Sequence, residues 1–195
     1  MKRIALYFGS FNPFHYGHRA VAEGISASGL VDELWFVLSP KSPFKEENVL
    51  SDPYRRLHEL EESLAQSNGF NWRICDIEFH LPSPLYTWNT LEALCTSHPD
   101  CEFSIAMGAD NLLSLERWYR GRDIMSAYRL IVYPRPGSDI GKFFRYASGP
   151  DGRPLARKHQ DALESEYSFK ELVILADAPQ NDISSTKIRE HNCSQ

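Results

Sequence analysis

The apolar positions of the chain fall into short runs that alternate with segments of helical periodicity for most of its length. Short apolar runs bounded by turn residues are typical of strands that are buried on both faces, as in a parallel sheet covered by helices. We predict six strands on this basis: Ile4–Phe8, Leu34–Leu38, Trp72–Phe79, Glu102–Met107, Arg129–Tyr133 and Leu172–Leu175.

The helical segments between these runs begin and end at characteristic residues. Asp52 suits an N-cap and Pro53 the first helical position, whereas Gly29 and Gly69 end the helices before them. The predicted helices are His18–Ser28, Pro53 to about Asn68, the segment from the N-cap Thr87 to Ser97, and a serine-capped final helix. The alternation predicts an α/β fold, a Rossmann-like doubly wound, mostly parallel sheet with helices on both faces and ligands at the carboxyl ends of the strands.

One segment, Pro134–Lys170, lacks this alternation and is rich in Gly, Pro, Arg and Lys. It is either a surface excursion with a helix near Arg157–Tyr167 or a contact in a homo-oligomer, and the sequence leaves both open. Since we find neither an internal repeat nor a low-complexity linker, we expect residues 1–195 to form one domain.

Composition and charge narrow the class of protein. The chain has 195 residues, of which 42% are hydrophobic and 24% charged, as in globular proteins. Its formal net charge is −5 and its pI is near 5.8, so we expect no nucleic-acid partner. The sequence has no run of about 18 apolar residues and no signal region after Met1, so we expect a cytoplasmic protein without a membrane partner. The four cysteines form no C-x-x-C pair and fit a reducing compartment.

The most informative stretch, GSFNPFHYGH, follows the first predicted strand. Gly9 lets backbone approach a ligand closely, and Asn12–Pro13 forces a turn. The helix that begins near Gly17 directs free N–H groups and the positive end of its dipole towards this turn. Since His15 and His18 add imidazole donors for phosphate oxygens, the stretch predicts a phosphate-binding site.

Two other interpretations of the histidine pair fit the residues less well. An ordinary strand-to-helix turn with two surface histidines does not require glycine, proline and histidine at the positions where a phosphate site needs them. Zinc binding through His15 and His18 would require cysteine or carboxylate partners, and the cysteines show no zinc-site spacing.

Together with a second motif, this stretch resembles the signature of a known family. GSFNPFHYGH is similar to G-(S/T)-F-(D/N)-P-x-H-x-G-H of the nucleotidylyltransferase superfamily, above all as it occurs in bacterial nicotinate-nucleotide adenylyltransferases. Near the C-terminus, ISSTKIR at Ile183–Arg189 resembles the I-S-S-T-x-I-R of that family, a helix N-terminus that binds ATP phosphates. Ser184, Ser185 and Thr186 are good N-cap residues, and Arg189 lies within reach of the same anion.

Weaker resemblances lie between these two motifs. The residues concerned are Lys45 (P-x-x-P-H/F-K), Tyr86 and Thr87 (S-Y-T-x-D/N-T-L), Asp110 (G-A-D-N), Trp118 (the tryptophan that stacks on a pyridine ring) and Arg135 (R-P-G). Leu85 replaces a serine that is usual in the family, and the segment Ser138–Lys170 departs from a compact family member.

The resemblance implies in-line attack of a mononucleotide 5′-phosphate on the α-phosphorus of ATP, which expels pyrophosphate. Positioning and charge stabilisation carry such transfers. The catalytic residues implied are His15, on the attacked α-phosphate, and His18, Lys45 and Arg189, on the departing phosphates. The implied ATP contacts are Gly9, Ser10, Phe11, His15, His18, Asp110, Ile183, Ser184, Ser185, Thr186 and Arg189, and the implied acceptor contacts are Asn12, Lys45, Tyr86, Thr87, Trp118 and Arg135.

The substrates implied are ATP and nicotinate mononucleotide, with Mg²⁺ held mainly by the ATP phosphates and water because no carboxylate cage is visible. Nicotinamide mononucleotide or phosphopantetheine are alternative acceptors, although Tyr86, Thr87 and Trp118 favour a flat pyridine ring. A non-catalytic nucleotide sensor and a nucleic-acid-binding protein are alternatives from other classes.

Overall fold

A parallel β-sheet forms the centre of the fold, in a computed structural model that describes residues 1–40, 52–65, 67, 69–153 and 167–175. The strands are β1 (Lys2–Gly9), β2 (Glu33–Leu38), β3 (Trp72–Cys75), β4 (Cys101–Gly108), β5 (Arg129–Tyr133), β6 (Ala147–Ser148) and β7 (Glu171–Ile174). The helices are α1 (Tyr16–Ala27), α2 (Pro53–Ala65), α3 (Thr87–Ser97), α4 (Ala109–Ser114) and α5 (Gly121–Ala127), with short 3₁₀ helices at Ile77–Phe79, Leu115–Arg117 and Gly141–Tyr146. No helix within these ranges is long and apolar enough to cross a membrane.

The order of the strands defines where a ligand can bind. Among the described residues the order is β3-β2-β1-β4-β5-β7-β6, and every neighbouring pair is parallel. The chain proceeds outward from β1 to β3 and then returns to place β4 on the other side of β1. Ligands of such sheets bind beyond the carboxyl ends of the strands at this reversal. The predicted Rossmann-like α/β fold is confirmed.

Side chains of the central strands alternate between two buried clusters, one on each face of the sheet. Ile4 and Leu6 of β1 pack in the cluster that includes apolar residues of α3 and α5. Ala5 and Tyr7 of β1 pack in the other, which includes apolar residues of α1 and α2. Because both faces are covered, every side chain of these strands can be apolar, and this explains the continuous apolar runs in the sequence.

The third strand is shorter than predicted. β3 ends at Cys75 rather than Phe79, because the chain turns at Asp76 (φ −97°, ψ 14°) into the 3₁₀ helix Ile77–Phe79. This turn places Glu78 in a buried position. The second helix, α2, also ends earlier than the predicted end near Asn68.

The described part of the irregular segment 134–170 contributes four apolar side chains to the core, while most of its other residues are exposed or partly exposed, so both alternatives for this segment stay open. The same buried cluster that includes apolar residues of α5 also contains Ile140, Phe143, Ala147 and Tyr167. β6, which the sequence pattern did not predict, adds a parallel strand to β7. The helix predicted near Arg157–Tyr167 and the predicted final helix lie outside the described residues, apart from Tyr167.

Candidate active site

The turn between β1 and α1 lies at the carboxyl end of the central strand. Phe11 has a left-handed backbone (φ 42°), and its side chain is only 1% exposed. A Cβ atom at Gly9 would lie 2.8 Å from the Phe11 ring, so the glycine is required for the packing of that ring. Asn12 is also buried and is joined to Pro13 by a cis peptide bond. Phe11 can therefore meet a nucleotide through its backbone and not through its ring.

His15 and His18 cap the N-terminus of α1 with their own side chains. His15 is the N-cap residue (φ −145°, ψ 172°), and its Nδ1 accepts a hydrogen bond from the backbone N–H of Gly17 at 3.1 Å. The backbone N–H of His15 in turn donates to Nδ1 of His18 at 3.3 Å. The helix therefore begins at Tyr16, before the predicted His18. Because Nδ1 is an acceptor in both rings, the proton of each neutral imidazole lies on Nε2, which can donate to a phosphate oxygen.

The two imidazole rings are stacked on each other. Their centroids are 3.8 Å apart at an interplanar angle of 26°, and His18 also stacks on Phe14 with centroids 5.5 Å apart. Burial, and then the charge of Arg135, lower the pKa of His15 below its usual 6.5. His15 is therefore neutral near pH 7 without a ligand, and a bound phosphate would favour its charged form.

Asp110 and Arg135 face each other at the carboxyl ends of β4 and β5. Asp110 lies in the first turn of α4, and its Oδ1 is 3.8 Å from Nε of Arg135. A Cβ atom at Gly108 would overlap Oδ1 of Asp110 and lie 3.1 Å from Arg135, so a side chain at the end of β4 would displace this pair from its present position. Because β1, β4 and β5 run parallel, these two predicted residues lie at the same edge of the sheet as the turn after β1.

The predicted acceptor residues on α3 and after α4 belong to elements that pack on the opposite face of the sheet from α1. The prediction that Thr87 is the N-cap of α3 is wrong, because Thr87 is its first helical residue and the extended Tyr86 is the N-cap. Tyr86 makes no side-chain cap hydrogen bond and instead stacks on Tyr119, with centroids 4.7 Å apart. Trp118 follows the 3₁₀ helix Leu115–Arg117 in an extended conformation and packs partly buried against the core.

Six of the predicted site residues lie outside the described residues. They are Lys45, Ile183, Ser184, Ser185, Thr186 and Arg189, and their assignment stays a prediction from sequence. Ser10 lies in the turn after β1. Its carbonyl oxygen accepts a hydrogen bond from a residue that the sequence analysis missed.

That missed residue is Arg56 of α2, whose side chain is 0% exposed. Its Nη1 donates to the carbonyl oxygens of Ser10 (2.7 Å) and Ser39 (3.0 Å), and its Nη2 donates to that of Pro40 (2.7 Å). The sequence carried one signal for its burial. Arg56 precedes the buried Leu60 by four positions and so lies on the inner face of the helix.

Glu78 is a second buried polar residue that the sequence did not indicate. Its carboxylate accepts a hydrogen bond from Oγ1 of Thr90 at 2.9 Å and another from the hydroxyl of Ser39. Burial raises the pKa of Glu78 above its usual 4.5, in spite of these two donors. Glu78 therefore joins α3, which begins with the predicted acceptor residues, to the carboxyl end of β2.

The described residues contain no candidate metal centre. Within them, no group of three or more His, Cys, Asp or Glu residues could hold a metal ion.

Comparison with known proteins agrees with this geometry. Residues 6–191 match the cytidylyltransferase-like family. A nicotinate-nucleotide adenylyltransferase of Flavobacterium psychrophilum is 35% identical over 97% of this chain and 86% of its own length, and that of Bacteroides fragilis is 34% identical over 96% and 81%. In fold, the chain is similar to the nicotinic acid mononucleotide adenylyltransferase of Plasmodium falciparum solved with NaAD. The TM-score is 0.75 at 20% identity, over 97% of this chain and 83% of that one.

These similarities extend over nearly the whole chain and include both strand ends that build the site. The chain thus belongs to the cytidylyltransferase-like family and, within it, to the nicotinate-nucleotide adenylyltransferases.

Proposed function

We propose that this protein transfers the adenylyl group of ATP to nicotinate mononucleotide in the biosynthesis of NAD. A 5′-phosphate oxygen of the mononucleotide attacks the α-phosphorus of ATP in line, the bond to the bridging oxygen breaks, and pyrophosphate leaves. The products are nicotinate adenine dinucleotide and pyrophosphate. The observation that carries the proposal is the N-terminus of α1 beyond the carboxyl end of the central strand, where Nδ1 of His15 and Nδ1 of His18 each accept a backbone N–H group.

The two histidines contact different phosphates of ATP. His15 holds the attacked α-phosphate, and His18, with Lys45 and Arg189, holds the departing phosphates. Because the transferred group gains no bond to the protein, these residues act by position and by charge stabilisation. Stacking and burial restrict the motion of both imidazole rings, so their donors are oriented before ATP binds.

The remaining ATP contacts come from the turn itself and from α4. Backbone of Gly9, Ser10 and Phe11 meets the nucleotide, since the Phe11 ring is buried. Asp110 suits a ribose hydroxyl, because a carboxylate at the end of a strand is a good acceptor for it. The segment Ile183–Thr186 adds backbone donors to the phosphates.

The acceptor side is formed by the start of α3 and by Trp118, with Asn12 and Arg135 nearer to the phosphates. Because Tyr86 makes no side-chain cap hydrogen bond, its side chain does not occupy the first N–H groups of α3, which suit a carboxylate. Trp118 offers a flat aromatic face to the pyridine ring. This combination favours nicotinate over a flexible acceptor such as phosphopantetheine.

Mg²⁺ enters this proposal as an ion held by ATP phosphates and water. The ion would neutralise charge on the departing pyrophosphate. Its requirement can be tested by replacing Mg²⁺ with EDTA in the assay, which should abolish turnover. Since ATP is the donor, we place the reaction in the cytoplasm.

The test is a pyrophosphate-release assay with ATP and a panel of acceptors, with mass identification of the second product. Nicotinate mononucleotide should give pyrophosphate and nicotinate adenine dinucleotide in equal amounts. Phosphopantetheine and an assay without acceptor serve as controls and should release no pyrophosphate. Binding of ATP without release of pyrophosphate for any acceptor would contradict the proposal and favour a non-catalytic nucleotide sensor.

A further inference from the structure

We propose that Arg56 is a positioning residue for adenylyl transfer, which fixes the phosphate-binding turn relative to the acceptor-binding start of α3. It does so through a buried chain of hydrogen bonds that runs Ser10–Arg56–Ser39–Glu78–Thr90, here called the buried polar chain. The inference rests on the proposed function and adds Arg56, Ser39 and Glu78 to it, three residues that lie outside the motifs named above and have no assigned substrate contact.

The first part of the buried polar chain holds two strand ends together. The regular pairing of β1 and β2 is continued by the bond from the N–H of Ser39 to the carbonyl of Gly9 at 3.0 Å. Beyond this point the two chain segments diverge, and their carbonyl groups need donors of another kind. Arg56 supplies them from α2 to Ser10 on one segment and to Ser39 and Pro40 on the other.

A guanidinium group is chemically suited to this position. Its planar fork of N–H donors can serve several carbonyl oxygens at once, in fixed directions. Burial lowers the pKa of Arg56, yet an arginine starts so far above neutral pH that it keeps its charge. A rigid, charged group at the base of the turn therefore sets the direction in which the chain leaves β1 towards His15.

The second part of the buried polar chain extends to the acceptor side. Ser39 accepts from Arg56 through its carbonyl and donates to Glu78 through its hydroxyl. Glu78 accepts from Thr90, which lies in the first turn of α3 and is itself fully buried. Ser39 is thus the point at which the phosphate side and the acceptor side of the edge are connected.

Such a connection matters for a direct transfer between two bound substrates. The attacking oxygen and the α-phosphorus must be aligned, and a misplacement of about 1 Å can cost on the order of a hundredfold in rate. A displaced turn would still bind ATP, and a displaced α3 would still bind the mononucleotide. The buried polar chain should therefore affect kcat much more than the affinity for either substrate alone.

The experiment compares Arg56→Lys with Arg55→Met. Arg55 is the neighbouring residue on α2, is exposed, and pairs with Glu59, so its variant is a matched control. For each protein we would measure kcat, the KM for nicotinate mononucleotide, the Kd for ATP alone, and Tm. Arg56→Lys should lower kcat about tenfold to a hundredfold with Kd and KM changed less than about threefold, and Arg55→Met should match wild type.

Two milder variants test the other end of the buried polar chain. Thr90→Val keeps the shape of the side chain and removes the donor to Glu78, and Ser39→Ala removes the hydroxyl while keeping the carbonyl that Arg56 binds. Both should lower kcat about threefold or more with the Kd for ATP unchanged. Thr96→Val, near the exposed end of α3, is the control. If Arg56→Lys does not fold, the kcat values of Thr90→Val and Ser39→Ala decide whether the inference holds.

Each outcome has a defined meaning. Wild-type kcat in folded Arg56→Lys, or in both milder variants, would overturn the inference. A loss explained entirely by weaker ATP binding or by a smaller folded fraction would also overturn it. Wild-type protein that releases no pyrophosphate would overturn the proposed function and this inference with it, whereas an active wild type with a fully active Arg56→Lys would overturn this inference alone.

Discussion

Nδ1 of His18 accepts the backbone N–H of His15 at 3.3 Å, so the second histidine of the motif caps the helix that the first one begins. The same ring nitrogen that completes the cap fixes the proton of His18 on Nε2. Local folding and phosphate chemistry therefore depend on the same side chain. Experiments on this motif have to separate the two contributions by measuring stability beside turnover.

The first prediction concerns His18→Ala. Loss of one charge-stabilising donor should raise the barrier by about 3 kcal/mol, which lowers kcat on the order of a hundredfold. Loss of the cap should cost only about 1 kcal/mol of folding free energy. Steady-state kinetics and urea unfolding measure the two effects. His58→Ala, at an exposed position of α2, is the control, and near-wild-type kcat in His18→Ala would show that His18 is outside the site.

The second prediction concerns the pKa of His15. In the free protein it should lie below the usual 6.5, because burial and then the charge of Arg135 disfavour the imidazolium. Arg135→Met should raise this pKa while leaving it below 6.5, since burial is the larger cause. NMR titration of the His15 ring measures both values, with the exposed Arg153→Met as control. An unchanged pKa in Arg135→Met would place Arg135 too far from His15 to act on it.

The third prediction concerns the glycine at the end of β4. Gly108→Ala should displace Asp110 and Arg135, because the added Cβ atom meets both side chains. We expect little loss of stability, because the flexible side chains can move aside, and weaker ATP binding, because the pair no longer holds its position. Gly24→Ala in α1 is the control, since the added Cβ meets no atom of another described element within 4 Å and the change should stabilise the helix by about 0.5–1 kcal/mol. Equal ATP affinity in Gly108→Ala and wild type would contradict the role assigned to this edge.

The fourth prediction is a pH dependence of stability. The pKa of Glu78 is raised in the folded protein, so the folded state binds more protons than the unfolded state above the unfolded pKa of about 4.5. The free energy of unfolding should therefore fall as pH rises from about 4.5 to the folded pKa of Glu78. Glu78→Gln should remove this part of the slope, as measured by urea unfolding at several pH values.

The exposed Glu62→Gln is the control for this experiment, and its stability should follow that of wild type at every pH. If Glu78→Gln and wild type lost stability in parallel as the pH rises, the buried carboxylate would not be the group that titrates.

Much of the fold was predictable because buried parallel strands give strong local signals. The central strands read as uninterrupted apolar runs, and the turn after β1 is marked by glycine and proline. The error in the predicted end of β3 has a physical cause. Residues 72–79 continue an apolar pattern, whereas the chain turns at Asp76 so that Glu78 can reach Thr90, and such a long-range hydrogen bond leaves no local signature.

The site was predictable where a residue acts through a local motif and not where it acts through tertiary contacts. His15 and His18 are identified by their spacing at a helix start. Arg56 lies beside Arg55 in a helix with many charged residues, and its spacing of four positions from Leu60 is a weak local signal that separates the two. The carbonyl groups of Ser10, Ser39 and Pro40, which come from distant parts of the chain, hold Arg56 in its buried position, whereas Arg55 pairs with Glu59 at the surface.

The most direct test of the proposed reaction is kcat/KM for pyrophosphate release with nicotinate mononucleotide, measured beside nicotinamide mononucleotide in the same assay. N–H donors at the start of α3 suit a carboxylate, whereas the amide presents its own N–H₂ to them. This mismatch is worth about 1–3 kcal/mol, so nicotinate mononucleotide should be preferred about tenfold to a hundredfold. Equal or better use of the amide would contradict the account of the acceptor site, and no turnover with either would contradict the account of the reaction.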